Sequence, residues 1–512
     1  MITKLHSAAL QGVDAVEVEV EVNSPGMGQP RMVIVGLPDA AVRESAERVT
    51  SAVHASALGM DDGVITVNLA PADLKKQGPS FDLPIALAVA ANAVHSPMLE
   101  AQDCHIVGEL ALDGKLRPVK GVLSVALEAK ARGKKRLLVP EENAREAAVV
   151  DGIEVYGLGA LRQAFDFLMG QELLAPTYVN REAESPKRRQ YGADLDEVKG
   201  QYHVKRALEV SAAGGHNLLM VGPPGTGKSM LAKRIPTILP DMTEEEAIET
   251  TRVHSISGLL DPKAGLLRTR PFRAPHHTIS DAGLLGGGSN PGPGEISLAH
   301  NGVLFLDELP EFHRRTLEVL RQPLEDGQVT ISRAAGSLTF PSNVLLVASL
   351  NPCPCGFFGD PVRECRCSPR QIEQYRSKIS GPLLDRIDLH VEVPLIDYKQ
   401  LSSNERSESS ESVRNRVQQC RRRQTKRFRE APGVRVNSDM GPKQVRKHCE
   451  LDRESSQILE QAMEQLNFSA RAYDRILKVA RTIADLDSSE RIGAAHLMEA
   501  IQYRTLDRKL ML

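Results

Sequence analysis

A glycine-rich stretch of eight residues constrains this chain more than any other feature of its sequence. Residues 222–229 read GPPGTGKS. Such a stretch lets the backbone bend so that successive N–H groups face a phosphate group, provided that a strand precedes it and a helix follows. The apolar segment Asn217–Val221 comes directly before it, and a helical pattern begins at Met230. The pattern predicts a strand, a phosphate-binding loop and a helix in an α/β sheet.

The side chains of this loop suit a nucleotide. Lys228 is expected to reach the β- and γ-phosphates, and the Ser229 hydroxyl is expected to ligate Mg²⁺. The helix that follows directs its positive end at the same anion. We therefore predict that the chain binds ATP and Mg²⁺. The residues predicted to do so are Gly222, Pro223, Pro224, Gly225, Thr226, Gly227, Lys228 and Ser229, together with Asp307 further along the chain.

A pair of acids follows a later apolar segment. Val303–Leu306 reads as a buried strand, and Asp307 and Glu308 come directly after it. A buried strand does not end in two charges unless they meet a cation or a polar ligand. Asp307 is expected to hold Mg²⁺, and Glu308 is expected to orient and deprotonate the attacking water. The alternative, solvated acids at an ordinary strand end, is weak beside a phosphate-binding loop.

Three further polar residues complete the predicted catalytic set with Lys228 and Glu308. Asn351 ends the apolar strand Val344–Leu350 and is placed to contact the γ-phosphate or the water. Arg386, in LLDRIDLH, suits an arginine finger, and Arg471, in SARAYDR, opens a helix with an aliphatic face. A lone arginine is more often a solvated surface residue, so these two stand out only by their order relative to the other motifs.

Composition divides the chain into three domains and a linker. At 512 residues it is too long for one core, since a domain takes roughly 150 residues. Residues 1–171 mix strands with aliphatic helices, and 172–192 are charged and contain two prolines, which is typical of a linker. Residues 193–400 contain the α/β pattern, and 401–512 begin with a Ser/Glu-rich loop and continue as an all-helical domain.

Charge and cysteine content bear on location and partners. The net charge of −2 neither indicates nor excludes nucleic acid. No secretory signal opens the chain, and the most apolar long stretch, Leu83–Val94, is far short of the roughly 20 residues that cross a bilayer. An odd number of cysteines, seven, fits a reducing compartment better than a disulfide scaffold. We predict a cytoplasmic protein with no membrane partner.

The ordered motifs GPPGTGKS, LFLDEL, SLNPCPCG, LLDRIDLH and SARAYDRILKVARTIADL resemble those of AAA+ ATPases. Within them the chain resembles, over essentially its whole length, the ComM/YifB family of magnesium-chelatase-like proteins, and the string RPFRAPHHTISDAGLLGGG is specific to that likeness. The resemblance implies an N-terminal Lon-protease-like (S5-like) α+β domain, a P-loop AAA+ α/β domain and a C-terminal helical lid. It also implies hexameric rings with ATP bound between subunits.

The resemblance assigns roles to the same residues. Lys228 matches Walker A, Asp307 and Glu308 match Walker B, and Asn351 matches sensor 1. The remaining matches are Arg386 to the finger inserted into a neighbour's site and Arg471 to sensor 2. Whether Arg471 acts on its own subunit's nucleotide or on a neighbour's stays open.

The resemblance further implies a DNA helicase that promotes branch migration when transforming DNA is integrated by homologous recombination. Its partners would be single-stranded or branched DNA, other copies in a homohexamer, and a recombinase or loader protein. Gly327–Pro341 reads as a β-hairpin with Arg333 near its tip, a position that resemblance places in the ring's pore. The insertion 252–300 contributes Arg268, Arg270 and Arg273.

Cationic loops inside a ring would track DNA phosphates without reading sequence. The alternative for all of these arginines is solvation at the surface. A further basic run, Arg414–Arg429, spreads its charges around most of a helix, so solvated lid surface is favoured there over a DNA-binding arm.

Four cysteines lie close together in the sequence, as Cys353-x-Cys355 and Cys365-x-Cys367. Four thiolates on a short loop are what a tetrahedral Zn²⁺ site requires, although this spacing is tighter than the usual C-x₂-C. Reduced, partly buried thiols are the alternative. A metal here would brace the loop after Asn351 or present Arg363 and Arg366 to DNA.

The N-terminal domain raises an alternative function. Gln77-Gly-Pro-Ser80 resembles the nucleophile segment of Lon proteases, in which a lysine accepts the serine's proton. Leu123 stands at the position that resemblance gives to that lysine, and Lys120 comes three residues too early. The domain is therefore expected to be proteolytically inactive. The other alternative is a chelatase-like remodelling ATPase without DNA translocation.

Overall fold

The computed structural model describes residues 2–24, 31–96, 98, 101–179, 191–288, 291–333, 336–360, 363–396, 407–466 and 468–506. The chain divides into two compact units. The first comprises Met1–Arg188, Ala247–Leu267 and Ser332–Phe340. The second comprises Arg189–Glu246, Arg268–Ile331 and Pro341–Leu512.

A mixed seven-stranded sheet forms the centre of the first unit. Its strands are β1 (Ile2–Gln11), β2 (Asp14–Asn23), β3 (Arg31–Val35), β4 (Val64–Ala70), β5 (Cys104–Ile106), β8 (Arg136–Pro140) and β9 (Glu154–Leu158), and a small ribbon pairs β6 (Glu109–Leu110) with β7 (Leu116–Arg117). The order is β3-β4-β2-β1-β5-β8-β9, antiparallel between β4, β2 and β1 and parallel elsewhere.

Alternating apolar residues place β2 in this sheet. Val18, Val20 and Val22 are fully buried, and the glutamates between them reach more exposed positions, as period-two alternation requires. The helix Asp82–Ala93 is apolar between Asp82 and Asn92 and is buried over almost its whole length. The helices of the unit are Ala40–Ala55, Asp82–Ala93, Val122–Ala131, Glu141–Ala147 and Leu161–Leu168, with a 3₁₀ turn at Pro79–Phe81.

The first unit also includes the segment Ala247–Leu267, which the sequence places within the predicted 193–400 domain. Leu266 is buried in the same apolar cluster as Val122 and Val139, and the Ser255 hydroxyl donates to the buried Glu146 carboxylate. Apolar burial therefore groups this insertion with N-terminal residues. The first part of this segment, residues 247–257, belongs to the helix Glu244–Ser257.

A five-stranded parallel sheet forms the centre of the second unit. Its strands are β10 (Leu218–Val221), β11 (Phe272–Arg273), β14 (Val303–Leu306), β17 (Leu345–Leu350) and β18 (Leu389–Glu392), in the order β11-β14-β17-β10-β18. Four of the five are buried along most or all of their length, as parallel strands covered on both faces are. The strands that the sequence predicts before Asp307 and before Asn351 are thus both present.

The second unit also contains short strands and helices. One ribbon pairs β12 (Gly286–Gly287) with β13 (Gly292–Pro293). The predicted hairpin is present and pairs β15 (Gln328–Arg333) with β16 (Gly336–Pro341), and its residues Ser332–Phe340 are grouped with the first unit. The helices before residue 400 are Tyr202–Gly214, Lys228–Ala232, Ile235–Ile238, Asp281–Leu285, Glu295–Leu298, Arg314–Val319, Arg321–Asp326, Pro369–Arg376 and Gly381–Leu384, with 3₁₀ turns at Leu195–Glu197 and Leu309–Glu311.

The C-terminal region is helical, as the sequence predicts. Its helices are Ser410–Arg427, Pro442–His448, Arg453–Leu466, Ala470–Leu486 and Ala494–Gln502, with a 3₁₀ turn at Asn437–Asp439. The aliphatic face of Ala470–Leu486, including Ile476, Val479 and Ile483, is buried in the core that also contains the β10 residues Leu218 and Met220. The α/β fold class with a helical C-terminal region is therefore confirmed.

Parts of two predicted segments, 180–190 of the linker and 401–406 of the Ser/Glu-rich loop, lie outside the described residues. Among the helices that the structure describes, none combines the length and the apolar character needed to cross a membrane.

A buried ion pair fastens the C-terminal helices to the sheet of the second unit. Asp388, directly before β18, pairs with Arg475 and lies 3.2 Å from His216 Nδ1. Burial alone would raise the pKa of Asp388, but the charge of Arg475 and the His216 hydrogen bond hold that pKa well below its usual range. The stabilisation is thus present above about pH 4 and is lost as pH falls through the folded-state pKa.

Replacing this carboxylate should destabilise the second unit. We expect Asp388→Asn to lower its free energy of unfolding by about 3 kcal/mol, because Arg475 loses its charged partner in a largely buried setting. Urea unfolding followed by circular dichroism measures the effect. Asp474→Asn, one residue before Arg475 on the same helix, is the control and should be nearly neutral. Equal midpoints for the two variants would contradict this account of the ion pair.

Candidate ATP-hydrolysis site

The phosphate-binding loop joins β10 to the helix Lys228–Ala232, as its sequence predicts. Gly225 and Gly227 have φ of 81° and 85°, a region that glycine adopts without strain. A Cβ added at Gly222 would lie 2.2 Å from the Val393 carbonyl oxygen, so this position excludes any side chain. The three glycines therefore serve backbone geometry, which is what a loop of phosphate-facing N–H groups requires.

Lys228 lies in this loop with its ammonium held by three oxygens. Its Nζ donates to the carbonyls of Gly222 and Pro223 at 2.7 and 2.8 Å. It also donates to Asn351 Oδ1 at 3.1 Å. Burial lowers the pKa of Lys228 to about 8, although Asp307 and Glu308 nearby act in the opposite direction. The structure thus brings the predicted Walker A lysine and sensor 1 residue into direct contact.

Asp307 and Ser229 form the second half of the site. The Ser229 hydroxyl donates to Asp307 Oδ2 at 2.6 Å, which places the two predicted Mg²⁺ ligands side by side. The backbone N–H of Glu308 donates to Asp307 Oδ1 at 3.1 Å. Glu308 has φ of 52° and ψ of 52° and is exposed. A left-handed conformation is uncommon for a residue with a side chain, and such strain clusters at functional sites.

Ser349 is a further residue of the site that the sequence motifs do not predict. The Ser349 hydroxyl donates to Asp307 Oδ1 and accepts from the Glu308 N–H at 3.2 Å. It therefore fixes the carboxylate that is expected to face Mg²⁺. A signal was present, because Ser349 is a polar residue in an apolar strand and lies two positions before Asn351, on the same side of that strand.

The donor set fits Mg·ATP. Mg²⁺ takes hard oxygen ligands from one or two side chains and from phosphates, and Ser229 with Asp307 supplies such a pair. Lys228 would hold the phosphates, and Asn351 already touches the same ammonium. These groups meet at the carboxyl ends of β10, β14 and β17, where adjacent parallel strands bring their C-terminal loops together.

Arg386 and Arg471 lie on the opposite side of the same sheet, where its parallel strands begin. Residues directly before β10, β14 and β18 (Asn217, Gly302 and Asp388) line a cavity of about 400 Å³. Arg386 and Arg471 line that cavity too. The loop with Lys228 follows the C-terminal end of β10, whereas Arg386 and Arg471 line a cavity at its N-terminal end. A single chain therefore does not bring either arginine to its own phosphate loop.

Arg386 is restrained by few partners. It pairs with Glu325, an exposed carboxylate, and its Nη1 donates to the Pro382 carbonyl at 2.6 Å. Arg471 is more exposed and lies 3.6 Å from Asp385. Burial and the nearby arginines, Arg471 among them, lower the pKa of Arg386. Clustered cations at a cavity rim attract an anion, and a phosphate group is one such anion.

The predicted DNA-contacting residues have different surroundings. Arg270 donates to the Pro240 and Asn301 carbonyls, each at 2.6 Å, and pairs with Glu246 at 2.8 Å. Arg273 is held by both carboxylate oxygens of Glu295 at 2.6 Å. These guanidinium groups are engaged within the chain, which leaves fewer of their N–H groups to bind DNA phosphates.

Two further arginines of that set remain candidates. Arg268 is half-buried, directly before Thr269 and the engaged Arg270. Arg333 ends β15 at the tip of the hairpin, and its side chain lies outside the described part of the structure. The position in the hairpin is the predicted one, and the DNA contact stays a prediction.

The basic run Arg414–Arg429 falls mainly on the helix Ser410–Arg427, where Arg422 and Lys426 are exposed and other arginines have partners within the chain. Arg416 donates to Glu209 at 2.5 Å, Arg421 to the Ala212 carbonyl at 2.9 Å, and Arg427 to Asp485 at 2.6 Å. The helix packs against Tyr202–Gly214, Ile235–Ile238 and Ala470–Leu486, so several of its arginines meet carboxylates and carbonyls of the second unit.

The N-terminal residues do not assemble a protease dyad. Ser80 lies in the turn Pro79–Phe81, where its carbonyl accepts from the Gly108 N–H at 2.9 Å. Leu123 is buried in the apolar core, and Lys120 is exposed. Across the described ranges, no hydrogen bond joins the Ser80 hydroxyl to a lysine or a histidine.

Comparison with known proteins supports the same reading of the chain. Three magnesium chelatase ChlI families match it: "subunit ChlI of Mg-chelatase" over 18–143, "magnesium chelatase, subunit ChlI" over 194–401, and its C-terminal family over 407–504. The chain is 44% identical to YifB of Escherichia coli over 99% of its length and 98% of that protein. It is also 44% identical to the competence protein ComM of Haemophilus influenzae, with the same coverage of both chains.

The chain belongs to the ComM/YifB family of magnesium-chelatase-like AAA+ proteins. A Lon protease of Halothermothrix orenii is 26% identical over 171 residues, which cover 31% of this chain and 21% of that protease. The likeness agrees with a Lon-like N-terminal fold. Membership of the ComM/YifB family implies the use of ATP and Mg²⁺, and the groups around Lys228 and Asp307 have the chemistry for both.

Proposed function

We propose that this protein is a homohexameric ATP hydrolase that moves along DNA and promotes branch migration in homologous recombination during natural transformation. The placement of Lys228 and Arg386 at opposite edges of one parallel sheet carries the proposal. A ring brings the arginine edge of one subunit to the phosphate loop of the next, and repeated head-to-tail contacts close such a ring. Each ATP site is then completed only at an interface.

Within each site the chain's own residues divide the work. Lys228 and the loop N–H groups bind the phosphates, and Ser229 with Asp307 holds Mg²⁺, which would neutralise charge on them. Glu308 positions a water molecule and accepts its proton. Asn351 and Lys228 share a hydrogen bond, so the end of β17 responds to what the lysine holds.

Arg386 of the neighbour stabilises charge that develops in the transition state, as an arginine finger does. Arg471 lines the same cavity, so we assign it to the neighbour's nucleotide rather than to its own subunit's. Hydrolysis at one interface thereby alters contacts made by the adjacent subunit, and that coupling drives movement around the ring.

DNA as the track is supported by the hairpin and by the relatives. One relative is named a competence protein, and β15 with β16 presents Arg333 at a hairpin tip. Single-stranded or branched DNA would lie against such tips, contacted through phosphates. None of the seven cysteines, all within the described residues, forms a disulfide, which agrees with a reducing cytoplasm. A recombinase or a loader protein would be available as a partner there.

The substrate is tested by strand displacement. A three-stranded junction labelled on the invading strand is incubated with the protein and ATP, and the released strand is measured on a native gel. We expect release that requires hydrolysable ATP and is absent with Lys228→Ala. ATP hydrolysis without any release, on forked as well as three-stranded DNA, would instead favour the second candidate, a chelatase-like remodelling ATPase, to which the matching ChlI families point.

The hairpin should couple DNA to hydrolysis. We expect Arg333→Ala to lower the ratio of DNA-stimulated to basal ATPase activity severalfold, because a phosphate contact is lost at each hairpin tip. A coupled ATPase assay with and without single-stranded DNA measures this ratio. Thr330→Ala, on the same strand but away from the tip, is the control. An unchanged ratio in Arg333→Ala would remove the hairpin from the DNA path.

A further inference from the structure

The loop directly after Asn351 gathers four cysteine sulfurs outside the ATP site. Cys353, Cys355, Cys365 and Cys367 have Sγ atoms that all lie within 4.8 Å of one another. Cys353 Sγ is 3.3 Å from Cys355 Sγ, and each of these is 3.7 Å from Cys365 Sγ. A tetrahedral Zn²⁺ with bonds of about 2.3 Å spaces its sulfurs by about 3.8 Å. Disulfides would require about 2 Å.

Backbone donors surround these sulfurs. The N–H groups of Phe357 and Arg366 donate to Cys355 Sγ, and that of Cys367 lies 3.5 Å from Cys365 Sγ. Hydrogen bonds of this kind stabilise the negative charge of metal-bound thiolates and orient them. The pairs Cys353/Cys355 and Cys365/Cys367 thus meet at one point, with hydrogen-bond donors to their sulfurs already in place. We propose that this loop holds a structural Zn²⁺ and that the metal fixes the rim of the ATP site.

The link to the ATP site is a close contact between two loops. Gly356 has φ of 84°, and a Cβ added there would lie 2.5 Å from Cδ of Pro224 in the phosphate-binding loop. The cysteine loop also follows Asn351 closely, since Asn351 lies two residues before Cys353. Asn351 Oδ1 accepts a hydrogen bond from Lys228 Nζ in the phosphate-binding loop. A metal that holds Cys353 and Cys355 in place therefore also restrains Gly356, which lies against Pro224.

A second support fastens the other side of the loop. Arg376 donates from Nε and Nη2 to the Pro352 carbonyl, each at 3.2 Å, and its guanidinium lies 5.1 Å from the ring centre of Phe358. Pro352 lies between Asn351 and Cys353. Arg376 thus contacts the stretch from Asn351 to Phe358 at Pro352 and Phe358, and in our proposal zinc binds the same stretch at Cys353 and Cys355.

Metal content is the first test. We expect the purified protein to contain about one zinc per chain by inductively coupled plasma mass spectrometry. The double variant Cys365→Ser/Cys367→Ser should lose it, and Cys420→Ser, a buried cysteine elsewhere, should keep it. Absence of zinc from the wild-type protein, even after refilling with zinc alone, would overturn the proposal. So would an intact mass lower by the hydrogens lost in disulfides.

A pair of glycine variants tests the coupling to the ATP site, which rests on the proposed function only in assuming ATP binding. Gly356→Ala and Gly359→Ala impose comparable backbone strain, since φ is 84° and 81°, but nothing lies within 4 Å of a Cβ at Gly359. We expect Gly356→Ala to weaken binding of a fluorescent ATP analogue about tenfold while retaining zinc, and Gly359→Ala to bind it normally.

Removal of zinc with a chelator should weaken the same binding, and added zinc should restore it. Equal affinities for the two glycine variants, or full affinity in the zinc-free protein, would overturn the coupling. Neither outcome touches hydrolysis or DNA movement, because strand release by the wild-type protein is measured independently.

Discussion

Glu308→Gln should lower the rate of ATP hydrolysis by about 10²- to 10⁴-fold while leaving ATP binding intact, since proton transfer by a positioned base contributes that much. The substitution removes the basic oxygen and keeps the side chain's shape. The backbone N–H of Glu308 donates to Asp307 and to Ser349, and glutamine at this position keeps both hydrogen bonds. The predicted Mg²⁺ ligands therefore stay in position.

Single-turnover hydrolysis and binding of a fluorescent ATP analogue, measured on the same preparation, separate the two effects. Glu311→Gln is the matched control, because Glu311 is an exposed acid three residues further along the same turn. On a branched DNA substrate the Glu308→Gln protein should bind the junction and fail to move it. Retained hydrolysis in this variant would deny Glu308 the role of base.

The geometry of the expected phosphate-binding loop could be predicted from the sequence because its chemistry is local. Gly225, Gly227 and Lys228 follow one another in a single turn, and the turn itself forces the backbone N–H groups to face one point. The positions of Asp307 and Asn351 at one end of the sheet could be predicted in the same way, because each follows a buried strand and neighbouring parallel strands end on the same side. Apolar patterning was enough for both.

The remaining features depend on pairings between distant parts of the chain. The order β14-β17-β10 sets Ser349 against Asp307, 42 residues away, and no local pattern specifies that neighbour. The contact of Gly356 with Pro224 is of the same kind. Burial of Leu266 among N-terminal residues likewise breaks the contiguous domain that composition predicts. Long-range packing decides each of these.

The position of Arg386 leads to the second large prediction. Arg386→Ala should lower ATP hydrolysis about 10³-fold or more with ATP binding retained, because a finger acts on transition-state charge rather than on the bound nucleotide. Arg435→Ala is the control, since Arg435 lines the same cavity and is exposed. It should hydrolyse ATP at close to the wild-type rate.

Mixed rings decide whether Arg386 acts within its own subunit or on a neighbour. Co-expressed Arg386→Ala and Glu308→Gln chains, carrying different affinity tags and purified through both, should recover activity that neither variant has alone. Interfaces that combine an intact Glu308 with an intact neighbouring Arg386 make up about a quarter of a random equal mixture. If the arginine served its own chain's nucleotide, every site would lack either its base or its finger, and no activity would return. Recovery near that fraction would follow directly from a sheet that places Lys228 at one edge and Arg386 at the other.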